Sequence, residues 1–196
     1  MEPLPLQCEA HYYDDFLSAE QADALFAEIV EQFDVTDKRI QMFDGSEYIH
    51  ETGIYMFCDP QLTGFEYLPE VWGARSSWPA ALADVRDKVA EKIGGHFQVA
   101  RCLYYRDGSE GLAFHCDPPA YGDTSAIASL SLGAEREFIF RRKDNHNEQL
   151  SLKLSSGSLV FMGRGCQENY EHGVPYDANC QRPRLNISFR KFGFDQ

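Results

Sequence analysis

A chain of 196 residues with 43% hydrophobic and 13% aromatic content can bury one good core, which excludes general disorder. No apolar run approaches the roughly 20 residues of a membrane span, and Met1-Glu-Pro-Leu-Pro-Leu6 lacks the basic flank and apolar core of a signal peptide, so a cytoplasmic or nuclear protein is expected. The net charge of -13 is lopsided: residues 1–100 carry 6 Lys+Arg against 19 Asp+Glu, residues 101–196 carry 12 of each, and such an excess works against tight non-specific binding of duplex phosphates.

The six cysteines (Cys8, Cys58, Cys102, Cys116, Cys166, Cys180) are scattered without Cys-x-x-Cys spacing, and reduced thiols are expected. Ser18-Ala-Glu-Gln21 has the form of a capping box, and Ala22, Leu25, Phe26, Ile29, Val30 and Phe33 follow at helical spacing, predicting a helix over about 19–33. Residues 38–78 hold Phe43, Tyr48, Tyr55, Phe57, Phe65, Tyr67, Trp72 and Trp78 without a sustained period; a loop-and-hairpin lid and a pair of strands both fit, and any one of these aromatics fills core as readily as it meets a ligand. Pro79 at a first-turn position, the stripe Leu82, Val85, Val89 and Ile93, and Gly94-Gly95 as a stop predict a second helix.

From Phe97 onward short strands alternate with turns, at roughly 97–105, 112–117, 126–132, 136–142, 149–155, 158–162, 170–173 and 184–191. Eight short strands after two helices imply an α+β, mainly β fold: a jelly-roll core with two flanking N-terminal helices.

Two stretches carry chemistry. Along Arg182–Lys191, Leu185, Ile187 and Phe189 point one way, while Arg184, Asn186, Ser188 and Arg190 line the other face, as either a solvated surface or the floor of a pocket. His115-Cys116-Asp117 places an imidazole and a carboxylate on one side of a strand, with His172 as a third candidate ligand. Two His and one carboxylate leave open positions on an octahedral Fe(II), and two arginines supply cationic forks for carboxylates.

The order His-x-Asp, a distant His, then Arg-x-Asn-x-x-x-Arg resembles the AlkB-like 2-oxoglutarate- and Fe(II)-dependent dioxygenases, over roughly residues 97–192. Ala126–Gly133, Phe138–Arg141, Gly157–Met162 and His172–Pro175 look like that family's successive core strands. The resemblance implies a double-stranded β-helix, with 1–196 as one dioxygenase domain in which 1–96 supply helices and a substrate lid and 97–192 the catalytic core. It implies Fe(II) on His115, Asp117 and His172, with O2 as the oxidant. It implies 2-oxoglutarate on Arg184 at the distal carboxylate, with Arg190 near the other end, Asn186 between them and Tyr105 alongside. His11, His50, His96 and His146 match no family position and are expected on the surface.

Two positions depart from the family. Leu103 stands where an asparagine is usual, and Pro119 replaces an acid that commonly meets a flipped base. The expected activity is oxidative demethylation of N-alkylated nucleic-acid bases, releasing formaldehyde and succinate, by a monomer acting on single strands. The alternatives are a hydroxylase of a protein or small molecule on the same scaffold and a metal-holding module without turnover.

Overall fold

In chain order the first half holds β1 (Glu2–Pro3), β2 (Ala10–Tyr13), α1 (Ala19–Gln32), β3 (Arg39–Gln41), β4 (Glu47–Ile49), β5 (Gly53–Cys58), β6 (Ala74–Ser77) and α2 (Ala80–Ile93). The second half holds β7 (Val99–Tyr105), β8 (Leu112–His115), β9 (Ile127–Gly133), β10 (Arg136–Arg142), β11 (Gln149–Leu154), β12 (Leu159–Met162), α3 (Cys166–Asn169), β13 (Tyr170–Val174) and β14 (Arg184–Arg190). This computed structural model describes residues 2–42, 44–64, 74–119 and 122–193.

The predicted capping box forms: Ser18 Oγ accepts from the Gln21 amide, and Gln21 Oε1 accepts from the Ser18 amide. Ala22, Leu25 and Ile29 are the buried stripe of α1, and Leu82 and Val89 that of α2. Pro79 sits one position earlier than expected, as the N-cap with ψ 151°, because its extended backbone precedes the first helical turn. Gly94, at φ +81°, ends α2 where a side chain would be strained.

The strands form an eight-stranded sheet ordered β1-β2-β12-β9-β14-β7-β5-β6 and a four-stranded sheet ordered β11-β10-β13-β8, with β3 and β4 as a separate hairpin. The two larger sheets face each other as a jelly-roll with α1 and α2 packed on the outside, the mainly β architecture that the strand pattern predicts. β14 lies in the interior of the larger sheet, antiparallel to both β9 and β7. Leu185, Ile187 and Phe189 are fully buried on its helix side, in a core shared with Ala22, Leu25, Ile29, Leu82 and Val89. Burying each such side chain contributes about 1.5–3 kcal/mol, so this face fixes the register of the strand. Its polar face is thereby turned inward, toward a second core in which Leu103, Tyr105 and Met162 of one sheet meet Phe138, Phe140 and Val174 of the other.

Residues 38–78 turn out to contain the β3–β4 hairpin together with two sheet strands. β5 reads Gly-Ile-Tyr-Met-Phe-Cys and is buried along its whole length, so it shows no alternation. Tyr55 and Phe57 pack against Phe33, with ring centroids 5.5 and 4.8 Å away, and Trp78 stacks on Phe189; all three fill core. Tyr48 is exposed. Phe43, Phe65, Tyr67 and Trp72 lie outside the described residues.

Candidate active site

His115 ends β8 and is the register partner of His172 on β13, so two adjacent antiparallel strands hold the imidazoles face to edge at 4.5 Å between centroids. Gly173 permits this approach: a Cβ there would lie 2.9 Å from the Leu112 carbonyl oxygen. Asp117 follows β8 by two residues. Its Oδ2 is 3.6 Å from His172 Nε2 and its Oδ1 is 3.7 Å from Arg190 Nη1. One ligand atom from each of His115, Asp117 and His172 lies within 4.8 Å of the others, a separation that one ion can bridge.

The protonation states suit a cation. His115 Nδ1 faces the Ala113 carbonyl at 2.9 Å, and a carbonyl only accepts, so Nδ1 carries the proton and the Nε2 lone pair is left for a ligand. Burial pushes His172 down to about 4 against the pull of Asp117, leaving it neutral at pH 7. Burial alone would raise the Asp117 carboxyl, but the neighbouring His172, Arg190 and His115 outweigh it and hold the group below the ordinary carboxylate range.

Arg184, 1% exposed, is the other half of the site. Its Nη2 donates to Ser131 Oγ at 3.0 Å and its guanidinium carbon lies 5.0 Å from the centre of the Tyr105 ring, yet Nε and Nη1 are buried without a hydrogen-bond partner. A buried cation with two orphaned donors is costly unless an anion completes it, which a carboxylate would do. Tyr105 is equally buried. Burial pushes its phenol up against the pull of Arg184 and Arg136, so it stays protonated and able to donate. Asn186 donates to Ser129 Oγ at 2.7 Å and to the Leu130 carbonyl at 3.1 Å. Arg190 donates to the Pro118 carbonyl and flanks Asp117, which ties the metal-side loop to β14.

All seven residues singled out from the sequence therefore gather in the space between the sheets. Six of them, with Leu103, line one cavity; Arg190 stands beside it on Asp117. The two imidazoles and one carboxylate of the cluster, with the unpaired Nε and Nη1 of Arg184, fit an iron ion and a dicarboxylic acid. Pro119 is exposed. His96 and His146 are exposed as expected. His11 and His50 are corrections, because both are half-buried: His11 stacks on Phe161, and His50 Nε2 accepts from Arg101 Nη2 at 3.1 Å.

Three contributors escape a reading of motifs. Arg136, 2% exposed, donates to the carbonyls of Asp107, Glu110 and Pro175 and lies 5.7 Å from the Tyr105 ring centre, bracing the wall behind Arg184. A charged residue in phase with Phe138 and Phe140 was the available signal. Gln167 accepts from the Asp117 amide at 2.8 Å, and Arg101 lines the cavity two residues before Leu103. The residues of α3 and a lone strand arginine carry no motif to point them out.

Among known proteins, a profile of the 2OG-Fe(II) oxygenase superfamily matches residues 9–190. The chain is 30% identical to bovine DNA oxidative demethylase ALKBH2 over 203 residues, covering 95% of this chain and 69% of that protein. It is 35% identical to the mouse protein of the same name over 122 residues, 58% of this chain and 51% of the relative. Against mouse alpha-ketoglutarate-dependent dioxygenase alkB homolog 3 the identity is 30% over 122 residues, 58% of this chain and 43% of the relative. These last two matches span about half the length of the relatives or less. The structure of OsALKBH1 superposes with a TM-score of 0.64 at 16% identity, covering 96% of this chain and all of the other, a likeness of fold. With the profile covering nearly the whole chain and the motif residues converging in one cavity, the protein belongs to the 2OG-Fe(II) oxygenase superfamily as an AlkB-like dioxygenase, whose family chemistry uses Fe(II), 2-oxoglutarate and O2.

Proposed function

We propose that the protein oxidatively demethylates N-alkylated nucleic-acid bases, acting as a monomer and preferring single strands. The observation that carries the co-substrate half of this reading is Arg184, a buried guanidinium with two orphaned donors in the same cavity as the His115–Asp117–His172 cluster. The nucleic-acid half rests on relatives named as DNA oxidative demethylases.

In this reading His115, Asp117 and His172 hold the iron. Iron held there would, with 2-oxoglutarate and O2, supply the oxidising chemistry toward a substrate C–H bond, with succinate as the co-product. Arg184 would take the distal carboxylate and Tyr105 would donate to it, while Asn186, held by Ser129 and the Leu130 carbonyl, stands between the two arginines. Arg190 keeps the Asp117 carboxylate and the Pro118 carbonyl in place. Phe138, stacked on His172 at 5.3 Å, closes the back of the cavity against water. Hydroxylation of an N-methyl carbon then gives a hemiaminal, whose C–N bond breaks to free formaldehyde and the repaired base.

Pro119 supports a second reading. An exposed proline offers no polar side-chain group to a flipped base, and hydroxylation of a protein or small molecule would not need one. Succinate release measured with and without methylated oligonucleotide separates the two. Stimulation with matching formaldehyde supports demethylation, whereas turnover indifferent to every methylated base moves the assignment to the hydroxylase.

A further inference from the structure

Outside the cavity, one pair of side chains is unusually close for groups that are not bonded. Cys8 Sγ and Cys166 Sγ lie 2.8 Å apart although the residues are 158 positions apart in sequence. The approach is set by backbone: the Glu9 amide donates to the Arg164 carbonyl at 2.9 Å, and the Gly163 amide donates to the Glu9 carbonyl at 2.7 Å. Gly165 is left-handed at φ +82°, and a Cβ there would sit 3.3 Å from the Cys8 Cβ. A glycine in this place lets the N-terminal segment lie against the start of α3. No other pair of thiols is in contact among the described residues, which include all six cysteines.

We propose that Cys8 and Cys166 are a thiol–disulfide site, oxidised by a low-molecular-weight disulfide such as oxidised glutathione, that tethers the N-terminal segment to α3. The two sulfurs have different roles. Cys8 is half-buried, and the hydrogen bond from Cys166 pushes its thiol down, which makes it the accessible nucleophile. Cys166 is 2% exposed and pushed up by its contact with Cys8 and by burial; its one S–H has two alternative acceptors, Cys8 Sγ and the Glu9 carbonyl 3.2 Å away. By contrast Cys58 is pushed up to about 11 by burial, and Cys102 further, so neither is reactive.

The exchange balances in two steps. Cys8 thiolate attacks one sulfur of the external disulfide; that S–S bond breaks, and one small thiolate leaves and takes up the proton Cys8 lost. Cys166 then loses its proton and attacks Cys8 Sγ, and the second small thiol departs with that proton. Two protein thiols are oxidised by two electrons and one external disulfide is reduced to two thiols. The sulfurs need to close only from 2.8 Å to the roughly 2.05 Å of a disulfide. The tether bears on the metal side of the molecule, because the next residue, Gln167, accepts the Asp117 amide and its carbonyl accepts Lys143 Nζ.

The test equilibrates the full chain in mixtures of reduced and oxidised glutathione, traps thiols by alkylation, and reads intact mass, linked peptides and thermal midpoint. Expected is a loss of about 2 Da, six alkylatable thiols falling to four, one Cys8–Cys166 peptide, and a midpoint several degrees higher that dithiothreitol reverses. Cys8→Ser, at a half-exposed position, should keep its fold and show neither the mass loss nor the midpoint shift. Cys166→Ala should stall with glutathione retained on Cys8. Six free thiols at the highest oxidised fraction, a persistent mixed disulfide in the unsubstituted chain, or an unchanged 2 Da loss in Cys8→Ser would each overturn the assignment.

Discussion

Arg184 brings a charge into the interior with its Nε and Nη1 left without a hydrogen-bond partner, and the protein's activity should be correspondingly sensitive to its loss. Arg184→Ala is expected to weaken 2-oxoglutarate binding by roughly 2–5 kcal/mol, seen as a rise of thirtyfold or more in its apparent Michaelis constant. Arg184→Lys should recover part of this, since a point charge reaches one carboxylate oxygen where the planar fork reaches two. His115→Ala, Asp117→Ala and His172→Ala should each abolish metal uptake in anaerobic titration with Fe(II) or Mn(II) while leaving the far-ultraviolet circular dichroism unchanged. Intact uptake in all three would remove the cluster from the metal.

His50 is pushed down to about 4, by burial first and by Arg101 second. The unfolded chain then takes up a proton near pH 6.5 that the folded chain refuses, so the stability linked to this group is present above about pH 6.5 and is lost as pH falls toward 4. Denaturant midpoints measured from pH 7.5 to 4.5 should fall, and His50→Gln should flatten part of that slope. An identical slope in the variant would show that His50 titrates the same way folded and unfolded.

At the scale of elements, β14 was readable because its two faces differ so sharply. Leu185, Ile187 and Phe189 alternate with Arg184, Asn186, Ser188 and Arg190, and strand positions fix what each face meets. What the pattern left open was whether the polar face met solvent. The pairing of β14 with β7 and β9 decides that, because a strand with neighbours on both edges and helices over one face has its other face inside. β5 was unreadable for the opposite reason. A strand buried on both faces has no period, and its pairing with β7 comes from a contact too distant in sequence to leave a local trace.

Arg136 shows the same limit from the side of β10. Three loop carbonyls, of Asp107, Glu110 and Pro175, converge on one guanidinium, and only the fold brings them together. Arg136→Met should leave those acceptors unpaired at roughly 1–3 kcal/mol each if no water replaces them. We expect a clear drop in denaturant midpoint together with a raised Michaelis constant for 2-oxoglutarate, as the wall behind Tyr105 loosens. A variant with wild-type stability would show that the loops hold themselves.

For the molecule as a whole, the charge imbalance is the main guide to substrate form. The -13 excess lies within residues 1–100, which form the β3–β4 hairpin and the outer strand β6 as well as both long helices. That net negative charge repels a duplex, which carries more phosphates than a single strand, and extruding a base adds an unstacking cost of a few kcal/mol. Formaldehyde release should therefore be faster from single-stranded than from duplex oligonucleotides carrying N1-methyladenine or N3-methylcytosine, with the gap narrowing as salt rises. Faster release from duplex would refute the electrostatic argument.

The interior position of β14 bears on how this protein could change over time. Arg184 and Arg190 share a strand with the residues that anchor both helices, so most substitutions there would damage folding and chemistry together, and selection on either keeps both. Other parts of the chain are less bound: Pro119 and, apart from the buried Ile40, the β3–β4 hairpin are largely exposed. New preferences for what is oxidised can be sampled there at small cost to stability, while the means of oxidation stays nearly frozen. Directed evolution of a new substrate range should accordingly recover its gains at the hairpin and around Pro119, and almost none between 184 and 190.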